Sequence, residues 1–471
     1  MTITTPTGRV TTFTYDANGN RLTETNPLNQ TTTFSYNAYG LVTQIADPLN
    51  HATSLAYDGD GNLISLTDAT GKTSAATWDI LGRRLTETAP SGLVTTYAYD
   101  HLGRMTSISL PGGRLTAYTY DLAGNRIGQT NALNQTDSYT YDGANRLVSH
   151  TDALNRTVTF TYDGNGNQTA FTDARNNTTT YTYNARNLRT GITYPGGTGE
   201  SYTYTAREEL ATRTDGRGIV ATWTYDDSGR LTGISYSDGT AAVTFAHDAD
   251  NRRTAMTDGT GTTTYTYDGA DRLLTRTSPQ GSVSYTYDAA GRRTSEAVGM
   301  GVPSTYTYDD ANRLLSVTAS GGTTSYTYDF AGRLSVTTYP SGATETRSYA
   351  TGSGDLIQMR HNRSGGVVIA QFDYTYDNLG RRIAEAQPGG ITIAYSYDAA
   401  GQLTQDARTG TGAFVASYTY DSAGNRLSKT QGAATETYTY NGANQLVGVA
   451  GVGGAVSKTY TYDSAGNLTS G

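Results

Sequence analysis

Trp223-Thr224-Tyr225-Asp226-Asp227-Ser228-Gly229-Arg230-Leu231-Thr232 decides the fold, because it reads as the end of one strand, a tight turn and the start of another. Rings two residues apart fall on one face of an extended chain and the threonine between them on the other. The Asp after the second ring hydrogen-bonds its own backbone readily, and the Gly three residues later accepts a positive φ. Arg230-Leu231-Thr232-Gly233-Ile234-Ser235 continues as a second strand. Its apolar positions lie three apart, so either a bulge intervenes or both faces are partly covered.

The same hairpin recurs along the whole chain. Tyr15, Tyr36, Tyr57, Trp78 and their successors to Tyr225 follow at intervals of 21 residues, and looser spacing carries the series from His247 to Tyr462. Of 22 such anchors 20 are Tyr, 19 have a second aromatic two residues earlier, 17 are followed by Asp, and 20 have Gly, Asn or Asp four residues on. Conservation of slot rather than of sequence is the mark of a repeat architecture. Between hairpins the chain turns in two styles, as Asn26-Pro27-Leu28-Asn29 or Tyr194-Pro195-Gly196-Gly197. The reading is an all-β single array over residues 1–471, strict over 1–235 and looser over 236–471, with a long hairpin near 350–376. About 22 hairpins give roughly 44 strands and a sheet ~210 Å wide if flat. Open twisted sheets seldom exceed ~10 strands, so it is expected to curl, spiral or split. Stacking the anchor rings in cross-strand ladders is the arrangement expected to hold it.

Composition narrows the function classes. Leu, Ile, Val and Phe make up about 15% of the 471 residues, a share usual for disorder, yet the net charge is only -8 and there are 38 tyrosines. Tyrosine must form the core, and with so few aliphatics a hollow or water-filled wall is expected rather than a packed barrel. No cysteine is present, which excludes disulfides, thiolate zinc sites and a cysteine nucleophile. No run approaches the ~20 apolar residues of a membrane span, Met1 to Val10 does not read as an export signal, and a mildly acidic chain with three lysines is not expected to bind nucleic acid.

No residue pattern points to catalysis, a cofactor or a metal. Asp58-Gly59-Asp60-Gly61-Asn62 and Asp163-Gly164-Asn165-Gly166-Asn167 resemble the start of a calcium loop, but Leu63 and Gln168 replace the required sixth-position Gly, and a plain hairpin turn is the expected reading. Gly71-Lys72-Thr73 ends like a phosphate loop but lacks the earlier Gly, where Leu66 stands. His51, His101, His150, His247 and His361 occupy unrelated repeat positions and assemble no triad. Between Tyr349 and Tyr376 the spacing grows to 27 residues. This reads as a longer hairpin turning at Ser364-Gly365-Gly366, with a protruding contact element as the alternative.

The unit seen at 223–232 and again at Tyr418-Thr419-Tyr420-Asp421-Ser422-Ala423-Gly424-Asn425-Arg426-Leu427 resembles the YD repeat of Rhs proteins, bacterial wall-associated proteins, the BC components of Tc toxins and teneurins. The resemblance implies a strip of hairpins wound into a hollow shell, which in the toxins holds a C-terminal effector polypeptide. It also implies an N-terminal export or plug region and a self-cleaving core cap, neither of which is recognisable here. Both ends read as cut, so the chain is expected to be a fragment of a larger shell protein or a truncated gene product.

The function expected is therefore a structural wall segment of an exported bacterial toxin or surface protein, secreted or at the cell surface in its parent and without enzymatic activity. Its partners would be the remainder of the shell or another copy, through open strand edges, and the effector as cargo. The alternative is a carbohydrate-binding or adhesive module, with tyrosines such as Tyr39 and Tyr236 stacking on cell-surface glycans.

Overall fold

A computed structural model of the chain describes residues 1–451 and 456–470. Among them there is no helix, and hence none long and apolar enough to cross a membrane. Every repeat forms its hairpin, and 44 strands belong to an antiparallel sheet in which sequence neighbours pair. The described strands number 46 rather than the 44 expected. Thr2–Thr4 adds a strand that pairs with Val10–Tyr15, and the last anchor strand is interrupted, leaving Val456–Thr459 in the large sheet and Thr461–Tyr462 paired only with Leu468–Ser470.

Two compact units are present. The first comprises Met1–Ala98, Leu110–Gly112 and Val243–Gln371; the second comprises Tyr99–Ser109, Gly113–Ala242 and Phe372–Gly471. Each thus combines an early and a late run of the array.

Alternation along the anchor strands is regular. In Thr178–Tyr183 every second residue is exposed, with Tyr181 and Tyr183 half-buried on one face and Thr180 and Thr182 on the other. The exposed hydroxyls pair across strands, as in Thr77 with Thr86 at 2.7 Å and Thr140 with Ser149 at 2.6 Å. The second strand carries a bulge. Tyr120 pairs with Arg126 but Thr119 with Gly128, so Ile127 is the extra residue, and the same shift recurs in hairpin after hairpin. This settles why apolar residues there lie three apart: Tyr225 pairs with Leu231 and Thr224 with Gly233, so Thr232 is the extra residue and Leu231 and Ile234 fall on one face, and where the extra residue is itself aliphatic it turns outward, leaving Leu22, Leu85 and Ile127 each 38% exposed.

The anchor turn is an Asx turn. Asp142 accepts the amides of Ala144 and Arg146 at 2.9 and 3.0 Å, and Asn145 sits at φ 60°. Asp58 does the same for Asp60 and Asn62, so its carboxylate is spent on its own turn. Residues 363–366 make the tight turn between Leu356–Asn362 and Val368–Tyr376, as a longer hairpin requires.

Glu208 occupies the positive-φ slot at 69°, a conformation that costs a side-chain-bearing residue roughly 1–2 kcal/mol. Glu208→Gly should therefore stabilise its hairpin by about 1 kcal/mol, read as slower amide exchange over residues 199–214. Unchanged or faster exchange would show that the slot carries no strain.

Candidate functional site

A single layer of hairpins has no interior of the usual kind. Among the described residues the buried hydrophobic side chains are Ile192, Ala221, Tyr374, Ala416 and Tyr438. Cohesion must come from what joins one hairpin to the next, and three devices do so.

The first is the anchor phenol. Tyr141 Oη donates to the carbonyl of Arg126 at 2.9 Å, Tyr162 to Leu147 at 2.7 Å and Tyr308 to Arg293 at 2.8 Å, each acceptor being the first residue of the preceding second strand. Trp78 uses its indole N–H on Leu63 in the same way, at 2.8 Å. The acceptor is the residue next to the bulge. On its other side the ladder to the following strand runs only from Thr130↔Thr136 to Gly128↔Ser138, so the Arg126 carbonyl has diverged from the strand that would pair it. The phenol of the next hairpin fills that vacancy. Burial raises the pKa of Tyr183, Tyr225, Tyr328 and other anchors, as expected for rings turned away from water.

The second device is the arginine that closes the anchor turn. Arg146 donates Nε to Asp142 of its own turn at 2.8 Å and Nη1 to the carbonyl of Asp163 in the next turn at 2.9 Å, while its guanidinium lies 4.7 Å from the Tyr162 ring centre. Arg104, Arg272 and Arg292 repeat the set of contacts. Side-chain and backbone hydrogen bonds from Arg146 hold the Asp142 carboxyl below its ordinary range.

The third lies in the row two residues before the anchors. Successive rings belong to alternate strands, about 9–10 Å apart, too far to touch. Arginine fills the gap: Arg126 lies 5.6 Å from Tyr118 and 4.9 Å from Tyr139, and Arg426 lies 5.8 Å from Tyr418 and 4.4 Å from Tyr438. This row is thus a ring–guanidinium–ring ladder, and the anchor rings, expected to stack on one another, lie instead against the arginine of the preceding turn, as Tyr162 does against Arg146. Direct contacts occur where an intervening strand supplies its own ring, as with Tyr139 on His150 at 4.8 Å and Phe160 on Phe171 at 5.5 Å.

Within each unit the two runs are further joined along a seam, where turns between hairpins in the early run meet anchor turns 241–271 residues later. In the first unit Asp250 accepts Thr5 Oγ1 at 3.0 Å, the Thr7 amide at 3.1 Å and Arg9 Nη2 at 2.6 Å, and its side chain is 3% exposed. Burial raises its pKa, but the bonds from Thr7, Arg9 and Thr5 outweigh that and hold it well below the carboxylate range. His51 reaches Asp310 at 3.4 Å, and Lys72, of the rejected phosphate-loop match, donates to the Asp329 carbonyl at 2.9 Å. In the second unit Asn444 donates to Asp173 at 3.0 Å, Arg175 to Asn444 at 2.9 Å and Arg156 to Gln402 at 2.7 Å. The seam is also sterically close: a Cβ on Gly216 would lie 1.8 Å from the Ser464 carbonyl oxygen.

Beside that contact, still in the second unit, lies a cavity of about 750 Å³ lined in part by Tyr194, Glu200, Gln445, Tyr462 and Asp463. Glu200 accepts from Tyr194, Tyr202 and Arg213, and burial and the Glu200 hydrogen bond push Tyr202 up to about 12. Among the described residues no group of three or more histidine or carboxylate side chains is placed to hold a metal ion.

Sequence reasoning placed the rings and turns but missed the arginines, although Arg recurs five residues after the anchor at Arg83, Arg104, Arg146 and Arg230. Three outcomes are expected. Tyr141→Phe should leave the Arg126 carbonyl unpaired and cost about 1–3 kcal/mol locally, detected by amide exchange over residues 126–141 but not in distant repeats. Gly216→Ala should part the seam at Ser464, raising proteolytic cleavage near residues 216 and 464. Turn aspartates are depressed in the fold, so their contribution is complete above the unfolded value near ~4 and is lost as pH falls through the lower folded values; denaturant midpoints should drop below pH ~4. A midpoint flat to lower pH would contradict that role.

The teneurin YD-shell family model matches residues 4–131, 125–264, 262–423 and 343–470. Among solved structures, the crystal structure of TcdB2-TccC3-Cdc42 has a TM-score of 0.68 at 14% identity, covering 100% of this chain and 36% of that one. The Photorhabdus luminescens Tc holotoxin pore, in a TccC3 mutant form, has a TM-score of 0.62 at 17% identity, covering 98% and 27%. TcdB2-TccC3 without its hypervariable C-terminal region has a TM-score of 0.50 at 13% identity, covering 99% and 39%. This chain therefore spans about a third of the length of the structures it is similar to, and their likeness concerns the fold. No curated protein matches the sequence. With the family model covering the array from end to end, the chain belongs to the teneurin YD-shell family.

Proposed function

We propose that the chain is a wall segment of an encapsulating shell, from an exported bacterial toxin or surface protein of the Rhs type, and that it works by excluding solvent and proteases from a polypeptide cargo. The observation that carries this reading is the seam. A strip of hairpins alone would be a ribbon, and the charged turn-to-turn contacts of Arg9 with Asp250 and of Asn444 with Asp173 lock two runs of it side by side. The names of the solved relatives support a cargo, since one of them is defined by lacking a hypervariable C-terminal region. In this reading the parent protein is secreted, the effector follows the shell, and the wall itself performs no chemistry.

Tyrosines of the row before the anchors carry guanidinium groups against their rings, which leaves them poorly suited as platforms for sugar rings. The glycan-binding alternative then rests on tyrosines outside that row, of which Tyr39 is 86% exposed. Electron microscopy of the purified chain, paired with a glycan array at physiological salt, tests the proposal. Hollow, curved particles that bind no glycan are expected; solid particles, or saturable binding abolished by Tyr39→Ala or Tyr236→Ala, would contradict it.

A further inference from the structure

Three turns between hairpins follow one another in the second unit at the strict 21-residue spacing, and their third residues are Arg175, Gly196 and Arg217. Arg175 crosses the seam, donating to the Asn441 carbonyl at 3.2 Å and to Asn444 at 2.9 Å and lying 3.4 Å from Asp421. Arg217 lies 3.7 Å from Asp463 but spends Nε and Nη2 on Asp215 of its own turn, at 3.0 and 2.7 Å. Between them Tyr194-Pro195-Gly196-Gly197 brings no cation to the seam, and the cavity of about 750 Å³ opens at that step.

The other two suppliers of guanidinium are absent from the same place. Gln445 holds the position that Arg146 holds before Tyr162, and it donates to the Gly466 carbonyl at 3.4 Å. Leu446 holds the position by which Arg126 serves the ring row. Tyr194, Tyr460, Tyr462 and Asp463 therefore line a space where the repeat elsewhere places an arginine. Charge agrees with this. Glu200, also in the lining, is already neutralised by Arg213 at 2.8 and 2.7 Å. Asp463 accepts neutral donors, the amides of Ala465 and Asn467 and the Asn467 side chain, each at 2.9 Å, and these bonds hold its carboxyl below the usual range, so it is charged at neutral pH. A carboxylate shared by two guanidinium groups has a precedent in Asp271, which Arg9 approaches at 2.6 Å and Arg252 at 3.1 Å.

A missing arginine alone does not make such a site. Gln402 and Leu188 hold the Arg146 position beside smaller cavities, of about 340 and 520 Å³. At the first, Arg156 crosses the seam to Gln402, and the second is lined by Arg186 and by no carboxylate.

We propose that the cavity beside Gly196 binds a guanidinium group brought by another molecule, seated against the Tyr462 ring and paired with Asp463. Aromatic faces and a carboxylate are what a planar cation needs, and the volume accommodates more than one side chain. Free arginine and an arginine within a polypeptide offer the same chemistry. The proposal goes beyond the wall reading and does not rest on it.

NMR titration of the full chain carrying labelled tyrosine tests it, with L-arginine, the blocked peptide acetyl-Gly-Arg-Gly-amide and L-citrulline, the uncharged analogue, as probes. Ring signals of Tyr460 and Tyr462 should shift with a Kd of about 1 mM or tighter while those of Tyr141 stay, and citrulline should bind at least ~10-fold more weakly. Tighter binding of the peptide identifies a polypeptide as the source, and tighter binding of the amino acid identifies free arginine. Asp463→Asn keeps its turn, as Asn441 does by accepting the amides of Ala443 and Gln445, and should weaken binding at least ~10-fold. Gln445→Arg should fill the place from within, abolishing binding without lowering the melting temperature. No shift at ~50 mM probe, equal binding of citrulline, or binding that either variant leaves unchanged would overturn the proposal. Hollow particles that bind no guanidinium would leave the wall reading standing while sinking this one.

Discussion

A β-bulge next to each anchor turn frees a backbone carbonyl, and the fold depends on how that carbonyl is satisfied. An orphaned buried carbonyl is costly and a flat ladder cannot reach it, so the phenol of the following hairpin takes the place of the missing strand bond. The bond from Tyr141 to Arg126 is one instance of a contact that recurs from Tyr36 to Tyr462. The bulge is thus a socket and the anchor tyrosine its plug. This explains why tyrosine rather than phenylalanine dominates the anchors, and why Trp78, which also has a donor at the ring's far end, is accepted in its place.

The turns carry the second level of order. Asp, Arg and the next anchor ring form a clip across neighbouring hairpins, and other residues of the same turns, such as Asp250 beside the clip residue Asp248, become acceptors of the seam where the strip runs beside itself. That double duty accounts for the two regimes of spacing. In the early run both ends of every hairpin are constrained, one by its neighbours and the other by the late run. A turn between hairpins that is one residue longer would move Arg9 or Lys72 off its partner. Late-run turns between hairpins meet no such partner in the first unit, and there the lengths vary, from Asp258–Gly261 to the long hairpin around Ser364.

Much of this was legible in the sequence. Alternation of rings and threonines fixed the strands, Asp with a later Gly or Asn fixed the turn, and the odd spacing in Arg230-Leu231-Thr232-Gly233-Ile234 required either the bulge found or a second covered face. What stayed hidden was relational. Nothing local says that Arg126 sits between Tyr118 and Tyr139, because that depends on strands from two different hairpins. Nor does any pattern announce that Asp250 will meet Arg9, a contact 241 residues apart set by how the strip bends. His51 and Lys72, which drew attention as candidate chemistry, proved to make turn and seam contacts, while His150 stacks on Tyr139 within the sheet.

The central claim is that the anchor hydroxyls, and not merely their rings, join hairpin to hairpin. Hydroxyl-proton exchange measured by NMR on tyrosine-labelled protein tests this most directly. The account predicts slowly exchanging hydroxyl protons at anchors such as Tyr141, Tyr162 and Tyr308, and exchange at the solvent rate at Tyr39, whose ring is exposed. Equal, fast exchange at all of them would contradict it.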